Sequence, residues 1–369
     1  MEDLVGTARF WKDRPVLITG HTGFKGSWLA TWLGKMGARV SGLALEPPTR
    51  PAMFDMAGVA ERMERSLILD IRDAAAVQSA VSQLRPEIVF HMAAQPIVLR
   101  SYQQPVETYA TNVMGTVHLL EAVRHCDSVR AVVVVTSDKC YENREWVWGY
   151  RETDAMGGFD PYSNSKGCSE LVTAAYRNSF FNPDSYERHG VAVASVRAGN
   201  VVGGGDWADD RLIPDLVRSL VAGQPVPIRN PQAVRPWQHV LEPLSGYLCL
   251  ARQLVEHGPK YAEAWNFGPL DVNARTVGWV VDRMISLWDG GGTGGWVADR
   301  QMRPHENVFL KLDCSKAANR LGWRAQWDLD ATLRYTVNWY RSWQRGEDLK
   351  AATEADILAY EAGLTGSAE

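Results

Sequence analysis

Three regularly spaced glycines near the N-terminus are the feature that most constrains the fold of this chain. An apolar run over residues 16–19 is followed by Gly20, Gly23 and Gly26 and then by a helical pattern. Gly20 allows a sharp turn, Gly23 lets the backbone approach a pyrophosphate, and Gly26 allows a helix to pack closely on a strand. A helix beginning near Phe24 would aim its free N–H groups and positive dipole end at the phosphates. The pattern predicts a dinucleotide-binding β–loop–α unit, whereas a plain turn is the alternative for the glycines alone.

Strand-like and helix-like segments alternate through the first half of the chain, as in a doubly wound parallel sheet. The strand-like runs are continuously apolar, which is typical of strands buried on both faces. They cover residues 16–19, 40–45, 66–69, 88–92, 131–136 and 191–196, and the helical patterns between them cover 28–36, 74–84, 113–124 and 163–181. We therefore predict an α/β fold with a Rossmann-type doubly wound parallel sheet and a smaller C-terminal substrate-binding lobe.

The alternation decays after residue 200, where segments rich in Pro, Trp and Gly appear. We predict a dinucleotide-binding domain over residues 1–195, to which residues 229–260 return, a substrate-binding lobe over 196–345 and a helical tail over 346–369. Helical patterns near 276–288, 315–321 and 330–345 belong to these later parts, and the glycine-rich run 289–295 is predicted to be a surface loop.

Composition excludes several classes of partner. The 369 residues carry a formal net charge of -4, which disfavours a nucleic-acid or membrane-surface partner. No apolar stretch is long enough to span a bilayer, and the N-terminus does not resemble an export signal. The five cysteines are scattered without metal-ligand spacing, so we expect no metal site and a cytoplasmic location.

Tyr162 and Lys166 form a Y-x-x-x-K pair near the start of a predicted helix. Residues at positions i and i+4 lie on one helical face, so the two side chains are expected to be neighbours. An ammonium group beside a phenol favours the phenolate, which would let Tyr162 act as a base near neutral pH. Lys166 could also hold the nicotinamide ribose of a dinucleotide. An exposed helical pair is the alternative.

A second polar group follows the buried strand near 131–136. Ser137, Asp138 and Lys139 lie at its carboxyl end, and ligands of open α/β sheets bind at such ends. The Ser137 hydroxyl could polarise a sugar oxygen, while Asp138 and Lys139 could transfer protons. A solvated loop is the alternative interpretation.

Several longer strings resemble those of nucleotide-sugar 4,6-dehydratases of the extended short-chain dehydrogenase/reductase superfamily. The residues at 137–139 differ from the Thr-Asp-Glu usual in that family and resemble the branch acting on CDP-glucose. Other strings with this resemblance are GHTGFKGSW from residue 20, ALEPP from residue 44, RAGNVVGGGDW from residue 197 and RPWQHV from residue 235. The resemblance extends from about residue 11 to residue 340.

The resemblance implies roles for further residues. Along the cofactor it implies the loop positions Thr22 and Lys25, the adenine-binding pair Asp70 and Ile71, and a wall formed by Ala93, Ala94, Gln95, Thr111 and Asn112. In the substrate pocket it implies Asn200 and Arg211, with Arg235 meeting a phosphate and His305 facing the nucleotide. A structural ion pair is the alternative for Arg235, and a surface loop for His305. Whether Lys25 and His21 contact phosphate or each other is left open.

Glu46 bears on the identity of the cofactor. It follows the second predicted strand about twenty residues after Gly26, where a carboxylate binds the ribose 2′-OH of NAD and repels the 2′-phosphate of NADP. NAD is therefore favoured, although Arg39 and Arg50 keep NADP as the minority alternative.

The reaction implied by the resemblance is an NAD-dependent internal redox dehydration of CDP-glucose to CDP-4-dehydro-6-deoxyglucose. The alternatives are a nucleotide-sugar 4-epimerase, a dehydratase acting on another NDP-hexose, and a non-catalytic NAD-binding protein. The superfamily commonly pairs through two helices per subunit, here 105–124 and 163–181, so a homodimer or a dimer of dimers is expected.

Overall fold

The computed structural model describes residues 8–228, 230–269, 273–289, 295–298 and 309–366. Its strands are β1 Pro15–Thr19, β2 Arg39–Ala44, β3 Arg65–Ile68, β4 Ile88–His91, β5 Ala131–Val135, β6 Ala192–Arg197, β7 Val201–Val202, β8 Val226–Ile228, β9 Val234–Pro236, β10 Gln238–His239, β11 Ala264–Asn266, β12 Ala274–Thr276 and β13 Trp296–Ala298.

The α-helices are α1 Ala8–Trp11, α2 Phe24–Lys35, α3 Met53–Met56, α4 Ala74–Leu84, α5 Val98–Gln103, α6 Pro105–Tyr109, α7 Gly115–Arg124, α8 Pro161–Ser179, α9 Tyr186–His189, α10 Leu212–Val221, α11 Leu241–His257, α12 Val277–Asp289, α13 Leu329–Gln344 and α14 Leu349–Gly366. Two π-helical segments, Ala110–Met114 and Ala317–Leu321, replace parts of the predicted helical patterns. Residues 290–294 of the predicted glycine-rich loop lie outside the described residues.

A seven-stranded sheet in the order β11-β6-β5-β4-β1-β2-β3 forms the centre of the molecule. Every pairing in it is parallel, with Val16 opposite Val40 on β2 and Ile88 on β4. The prediction of a Rossmann-type parallel sheet is confirmed, and all six predicted strands belong to it. The seventh, β11, was not predicted because three residues are too short to show a period.

The sheet is buried on both faces, which is the reason for its continuous apolar runs. On β1, Val16 and Ile18 belong to one apolar core and Leu17 to the other. The first core contains Trp28 and Trp32 of α2, and the second contains apolar side chains of α4 and α7. Helix α2 is therefore held beneath the carboxyl end of β1, where the glycine loop begins.

The later part of the chain both returns to this sheet and builds a separate group of elements. Helix α11 packs against β5 and β6, and β11 extends the sheet beside β6. Strand pairs β7–β10, β8–β13 and β9–β12, with helices α10, α12 and α13, lie apart from the sheet. The predicted domain boundaries at 195, 229–260 and 345 remain a proposal. Among the described helices, none has the length and apolar composition needed to cross a bilayer.

Candidate active site

The glycine loop has the geometry that its spacing predicts. Gly20 has φ +79°, and a Cβ at Gly26 would lie 2.2 Å from the Gly20 carbonyl oxygen. A Cβ at Gly23 would meet only that oxygen, at 3.4 Å. Helix α2 begins at Phe24 without a side-chain cap, so its first N–H groups remain available to an anion. The loop therefore fits a pyrophosphate.

His21 and Lys25, whose directions the sequence left open, point to different places. His21 is fully buried; its Nε2 lies 2.7 Å from Ser66 Oγ, and burial lowers its pKa to about 4. Lys25 is half-buried, and its Nζ lies 5.8 Å from the ring centroid of Tyr247 on α11. The two side chains therefore do not form one phosphate-binding pair. Phe24 covers Gly203, with its Cζ 3.3 Å from where a Gly203 Cβ would be.

A hydrogen-bonded wall follows β4. Asn112, on the π-helical turn, accepts from the Gln95 backbone N–H at 2.8 Å and donates to Ser165 Oγ at 2.8 Å. The Gln95 side chain itself is held by Ile97 and by Thr108 on α6. The wall therefore presents the backbone of this segment to the cleft. Predicted wall members Ala93, Ala94 and Thr111 are half-buried beside it.

The residues predicted to meet the adenosine half of the cofactor line the carboxyl ends of β2 and β3. Glu46 is exposed just after β2, while the Thr22 hydroxyl donates to the Leu45 carbonyl at 2.8 Å. Asp70 pairs with Arg72, whose hydrogen bonds lower the pKa of that carboxyl. Ile71 is buried against Gly115, where an added Cβ would lie 2.8 Å from its Cγ2.

The polar residues after β5 form a short 3-10 turn at the cleft. Ser137 Oγ donates to Asp138 Oδ1 at 3.0 Å and accepts from the Lys139 backbone N–H at 3.2 Å. Asp138 is buried against Gly199. A side chain at position 199 would clash with its carboxylate, because a Cβ on Gly199 would lie 1.8 Å from Asp138 Oδ2. Lys139 is half-buried beside it. The segment is thus a built part of the cleft and not a solvated loop.

Tyr162 and Lys166 lie on the first turns of α8, which Asp160 caps through the Ser163 N–H. Both side chains are buried. Burial raises the pKa of Tyr162 to about 12, although a hydrogen bond with Ser137 opposes the shift. The effect of Lys166 on the phenolate stays a prediction. Lys166 Nζ donates to the Val135 carbonyl at 3.2 Å, and burial lowers its pKa to about 8.

A buried ion pair, which the sequence interpretation missed, ties α8 to the sheet. Glu170 accepts from Arg197 Nη2 at 2.8 Å, from Ser195 Oγ at 2.6 Å and from Thr136 Oγ1 at 2.5 Å. Burial alone would raise the pKa of Glu170, but the Arg197 charge and these hydrogen bonds lower it. The spacing was a usable signal, because Glu170 lies four residues after Lys166 and so shares its helical face.

The predicted substrate residues occupy the other side of the cleft. Arg211, at the start of α10, pairs with Asp206 at 2.9 Å, and Asn200 has φ +51° with its carbonyl accepting from the Gln238 N–H. Arg235 lies on β9 opposite Arg275 of β12. A cavity of about 240 Å³ is lined by Pro236, the residue after Arg235, and by Pro269, Ala274, Phe309, Lys311 and Leu312. His305 falls outside the described residues.

Comparison with known proteins identifies the family. The sequence profile described as GDP-mannose 4,6 dehydratase matches residues 17–336. The chain belongs to this family. The nucleotide-sugar dehydratase resemblance predicted from the sequence is thereby confirmed, as is its placement in the short-chain dehydrogenase/reductase superfamily.

Individual members of the family and its structural neighbours refine the comparison. This dehydratase-family chain is 57% identical over 356 residues to the CDP-glucose 4,6-dehydratase of Salmonella typhimurium strain LT2, covering 96% of this chain and 98% of that protein. The structure of dTDP-glucose 4,6-dehydratase from Bacillus anthracis in complex with NAD has a TM-score of 0.73 at 21% sequence identity. The match covers 91% of this chain and 99% of that chain. The structure of UDP-glucose 4-epimerase from Thermotoga maritima with UDP-glucose has a TM-score of 0.74 at 21% sequence identity. The match covers 89% of this chain and 99% of that chain. Fold alone thus does not separate dehydratases from epimerases.

Proposed function

We propose that the chain is an NAD-dependent hydro-lyase that converts CDP-glucose to CDP-4-dehydro-6-deoxyglucose and water. The observation that carries this proposal is the 57% identity, over nearly the whole of both chains, to a CDP-glucose 4,6-dehydratase. The buried Ser137–Asp138 pair at the end of β5 supports it, because dehydration needs an acid that an epimerase does not need.

NAD fits the residues of the cleft. The loop leaves space at Gly23, α2 presents free N–H groups, and Glu46 is exposed where the ribose 2′-OH is expected. Tyr162 and Lys166 hold the nicotinamide ribose, with Asn112 fixing the adjoining wall. When bound, NAD accepts a hydride from C4 of the sugar and later returns it to C6.

The residues of the chain perform the proton transfers of this cycle. Tyr162 accepts the proton of the C4 hydroxyl, and its hydrogen bond with Ser137 gives that proton a route toward Asp138. The resulting C4 ketone acidifies the hydrogen on C5. Asp138 then protonates the departing C6 hydroxyl, which leaves as water while a base removes the C5 proton. Reprotonation at C5 completes the reaction.

Lys139 is the proposed C5 base. A lysine must lose its proton to act in this way, which burial or a neighbouring cation promotes. The alternative is that Lys139 orients Asp138 and the sugar. Lys139→Met should abolish exchange of the C5 hydrogen with solvent deuterium while still allowing some oxidation at C4. Full exchange in this variant would exclude Lys139 as the base.

The substrate side of the cleft is proposed to bind the nucleotide diphosphate. Arg235 meets a phosphate, because guanidinium pairs with phosphate oxygens in a bidentate manner. The neighbouring cavity, with Phe309 and Pro236 in its lining, accepts the nucleoside. Asn200 and Arg211 face the sugar, and His305 is proposed to face the nucleotide.

The experiment that tests the function compares four substrates. The purified chain is incubated separately with CDP-, dTDP-, UDP- and GDP-glucose, and products are analysed by mass spectrometry and sugar composition. Loss of water from CDP-glucose, with deoxysugar formation, is expected. Inversion at C4 without loss of water would indicate an epimerase, and dehydration of another nucleotide sugar would reassign the base. No turnover of any substrate would favour a non-catalytic NAD-binding protein.

A homodimer is proposed to form through the region of α6, α7 and α8. Exposed apolar side chains here are Val106, Met114 and Leu171, exposed to 81%, 45% and 60%. Leu120 of α7 does not contribute to this surface, because it is buried in the core beside the sheet. Leu171→Glu should shift the sedimentation profile to monomer at micromolar concentration, whereas Leu358→Glu on α14, also exposed, should not. A wild-type chain that sediments as monomer would contradict the proposal.

The remaining proposals concern location and other partners. We keep the cytoplasm as the proposed compartment, because the scattered cysteines suit a reducing environment. Fluorescence of a tagged chain in its source cell, compared with fractionation of the untagged chain, would test this. The net charge of -4 continues to disfavour nucleic acid and membrane surfaces as partners.

A further inference from the structure

Lys25 extends from the glycine loop into the reaction centre. It is the second residue of α2, yet its ammonium lies above the ring of Tyr247, a fully buried side chain on α11. Helix α11 packs against β5, the strand that carries Asp138 at its end. The loop therefore supplies a backbone cradle for phosphates and, separately, a cation at the centre of the cleft.

The charges around Lys25 are those of the proposed catalytic residues. Lys25 interacts electrostatically with Arg211, Lys166 and Asp138. Arg211 is already paired with Asp206, whereas the Lys166 ammonium donates to the Val135 carbonyl, so Lys25 and Asp138 are opposite charges that interact without a direct bond. Among the described residues, Lys25 makes no hydrogen bond or ion pair. Burial, followed by repulsion from Arg211 and Lys166, lowers its pKa to about 8, so it is mostly charged at neutral pH.

Tyr247 gives a second, independent sign that this part of the cleft binds a ligand. Its side chain is completely buried, and its hydroxyl has no hydrogen-bond partner in the described part of the chain. The hydroxyl lies close enough to Asp138 and Tyr162 to interact with them electrostatically. Buried hydroxyls without partners are costly and uncommon in folded proteins. A half-buried cation and a buried hydroxyl thus lie together near Asp138, and neither has a hydrogen-bond partner among the described residues.

We propose that the Lys25 ammonium favours the reduced over the oxidised form of the bound nicotinamide, which makes removal of hydride from the sugar easier. This rests on the proposed function, in which Lys166 holds the nicotinamide ribose. The transfer moves two electrons and one hydrogen nucleus from C4 to the ring, while Tyr162 takes the hydroxyl proton. The ring loses its positive charge in this step, so a fixed cation nearby destabilises the oxidised form relative to the reduced form.

The test measures ligand affinities of the full chain without any sugar substrate. Dissociation constants for NAD⁺, NADH and ADP-ribose are compared in the wild type, Lys25→Met, Lys25→Arg and the control Lys12→Met, which removes an exposed lysine. Lys25→Met should lower the ratio Kd(NAD⁺)/Kd(NADH) about tenfold, as for a unit charge about 12 Å from the ring at an effective dielectric constant near 20. ADP-ribose affinity should not change, and Lys25→Arg and Lys12→Met should keep the wild-type ratio.

Other outcomes would overturn the proposal. Equal weakening of all three ligands would make Lys25 a pyrophosphate-binding residue. CDP binding is measured in the same variants, and weaker binding of CDP alone would place Lys25 on the substrate diphosphate. An unchanged ratio with unchanged affinities would remove it from both roles. If Lys25→Met does not fold, Lys25→Gln provides the same loss of charge in a more polar side chain. The substrate comparison fails or succeeds independently, since it depends on products and not on this ratio.

Discussion

At the scale of single residues, burial works against the charged forms of the groups that carry the chemistry. It raises the pKa of Tyr162 to about 12 and lowers the pKa of Lys166 to about 8. Both shifts make the two side chains neutral more often than exposed ones would be. The proposed role of Tyr162 as a base therefore requires that this shift be offset when the cleft is occupied.

Tyr162→Phe should leave the fold intact and slow turnover by about 10²–10⁴-fold, the usual cost of losing a general base. The change deletes one hydroxyl whose bond is to Ser137. Steady-state formation of the 4-keto product is the measurement. Tyr176→Phe, which deletes a hydroxyl from the same helix at its bond to Glu121, is the control and should retain the wild-type rate. Comparable rates in the two variants would remove Tyr162 from the mechanism.

Arg197→Met should destabilise the fold by about 3–5 kcal/mol, because it leaves the Glu170 carboxylate buried without its partner. Both side chains of the pair are only 4% exposed. Urea unfolding measures the loss, and the double variant Arg197→Met/Glu170→Gln is the control. It should recover part of the stability, since no charge then remains unpaired. A single variant as stable as the wild type would show that Glu170 takes up a proton at little cost.

At the scale of elements, neighbouring positions of the glycine loop have different roles: one serves packing and another leaves space for a ligand. Gly26 is needed for packing, because the Gly20 carbonyl occupies the place of its Cβ, while the space beside Gly23 is left open by the protein. The segment from α6 to α7 shows a similar division. Its π-helical turn, Ala110–Met114, brings Asn112 to Gln95 and Ser165, and such turns occur often at functional sites.

Gly26→Ala and Gly23→Ala should separate folding from binding. Gly26→Ala should lower the free energy of unfolding by about 1–3 kcal/mol through overpacking, because its Cβ would lie 2.2 Å from a backbone oxygen. Gly23→Ala should keep the stability and weaken NAD binding by about tenfold or more, or ~1.4 kcal/mol. Urea unfolding and calorimetric titration are the measurements. Equal NAD affinity in Gly23→Ala and the wild type would place the pyrophosphate elsewhere.

At the scale of the whole molecule, the C-terminal helix is joined to the sheet through a buried carboxyl group. Glu242 on α11 accepts from the backbone N–H groups of Gln326 and Trp327 and from the Tyr360 hydroxyl on α14. Helix α14 also contacts α2, where Trp32 Nε1 donates to Glu361 at 2.8 Å. Helix α14 is therefore held against α2, the helix that begins at the glycine loop.

The buried Glu242 carboxyl group should contribute a fall in the free energy of unfolding as pH rises from about 4.5 to about 7. Buried histidines such as His21, whose pKa burial lowers to about 4, contribute a rise over the same interval, so the Glu242 contribution is isolated by comparison with a variant. Burial raises the pKa of Glu242 from 4.5 to about 7, so the unfolded chain gives up this proton first, and the folded chain must then bury a charge. The Glu242 contribution is about 3 kcal/mol. Asp356, whose pKa burial raises to about 8, adds a change of the same sign. Urea unfolding near pH 5 and pH 8 measures it.

Glu242→Gln provides the matched control for this pH dependence. Gln keeps an oxygen that accepts from the backbone but has no proton to lose, so the variant should lack the unfavourable contribution of Glu242 over the same interval. Its stability relative to the wild type should therefore rise with pH. A pH dependence identical in the two proteins would show that Glu242 does not contribute to it.

The sequence by itself determined the sheet, its parallel sense and the family. These follow from local patterns: a strand, three glycines at fixed spacing, and apolar runs whose period is visible over four or more residues. The strand β5 and the helices α4 and α8 lie within two residues of their predictions at each end. Tyr162, Lys166 and Asp138 were predicted as site residues for the same reason, because each lies at a fixed distance from a recognisable element, and their roles stay predictions.

Only the tertiary structure decided where the remaining side chains point. Lys25 and His21 are four residues apart in one loop, yet one faces Tyr247 and the other faces Ser66. The partners of Glu170 come from β5 and β6, and β11 joins the sheet from about seventy residues beyond β6 along the chain. Contacts between residues so far apart leave no local period in the sequence. They are fixed by how the two cores pack around the sheet, since close packing allows each buried side chain few directions.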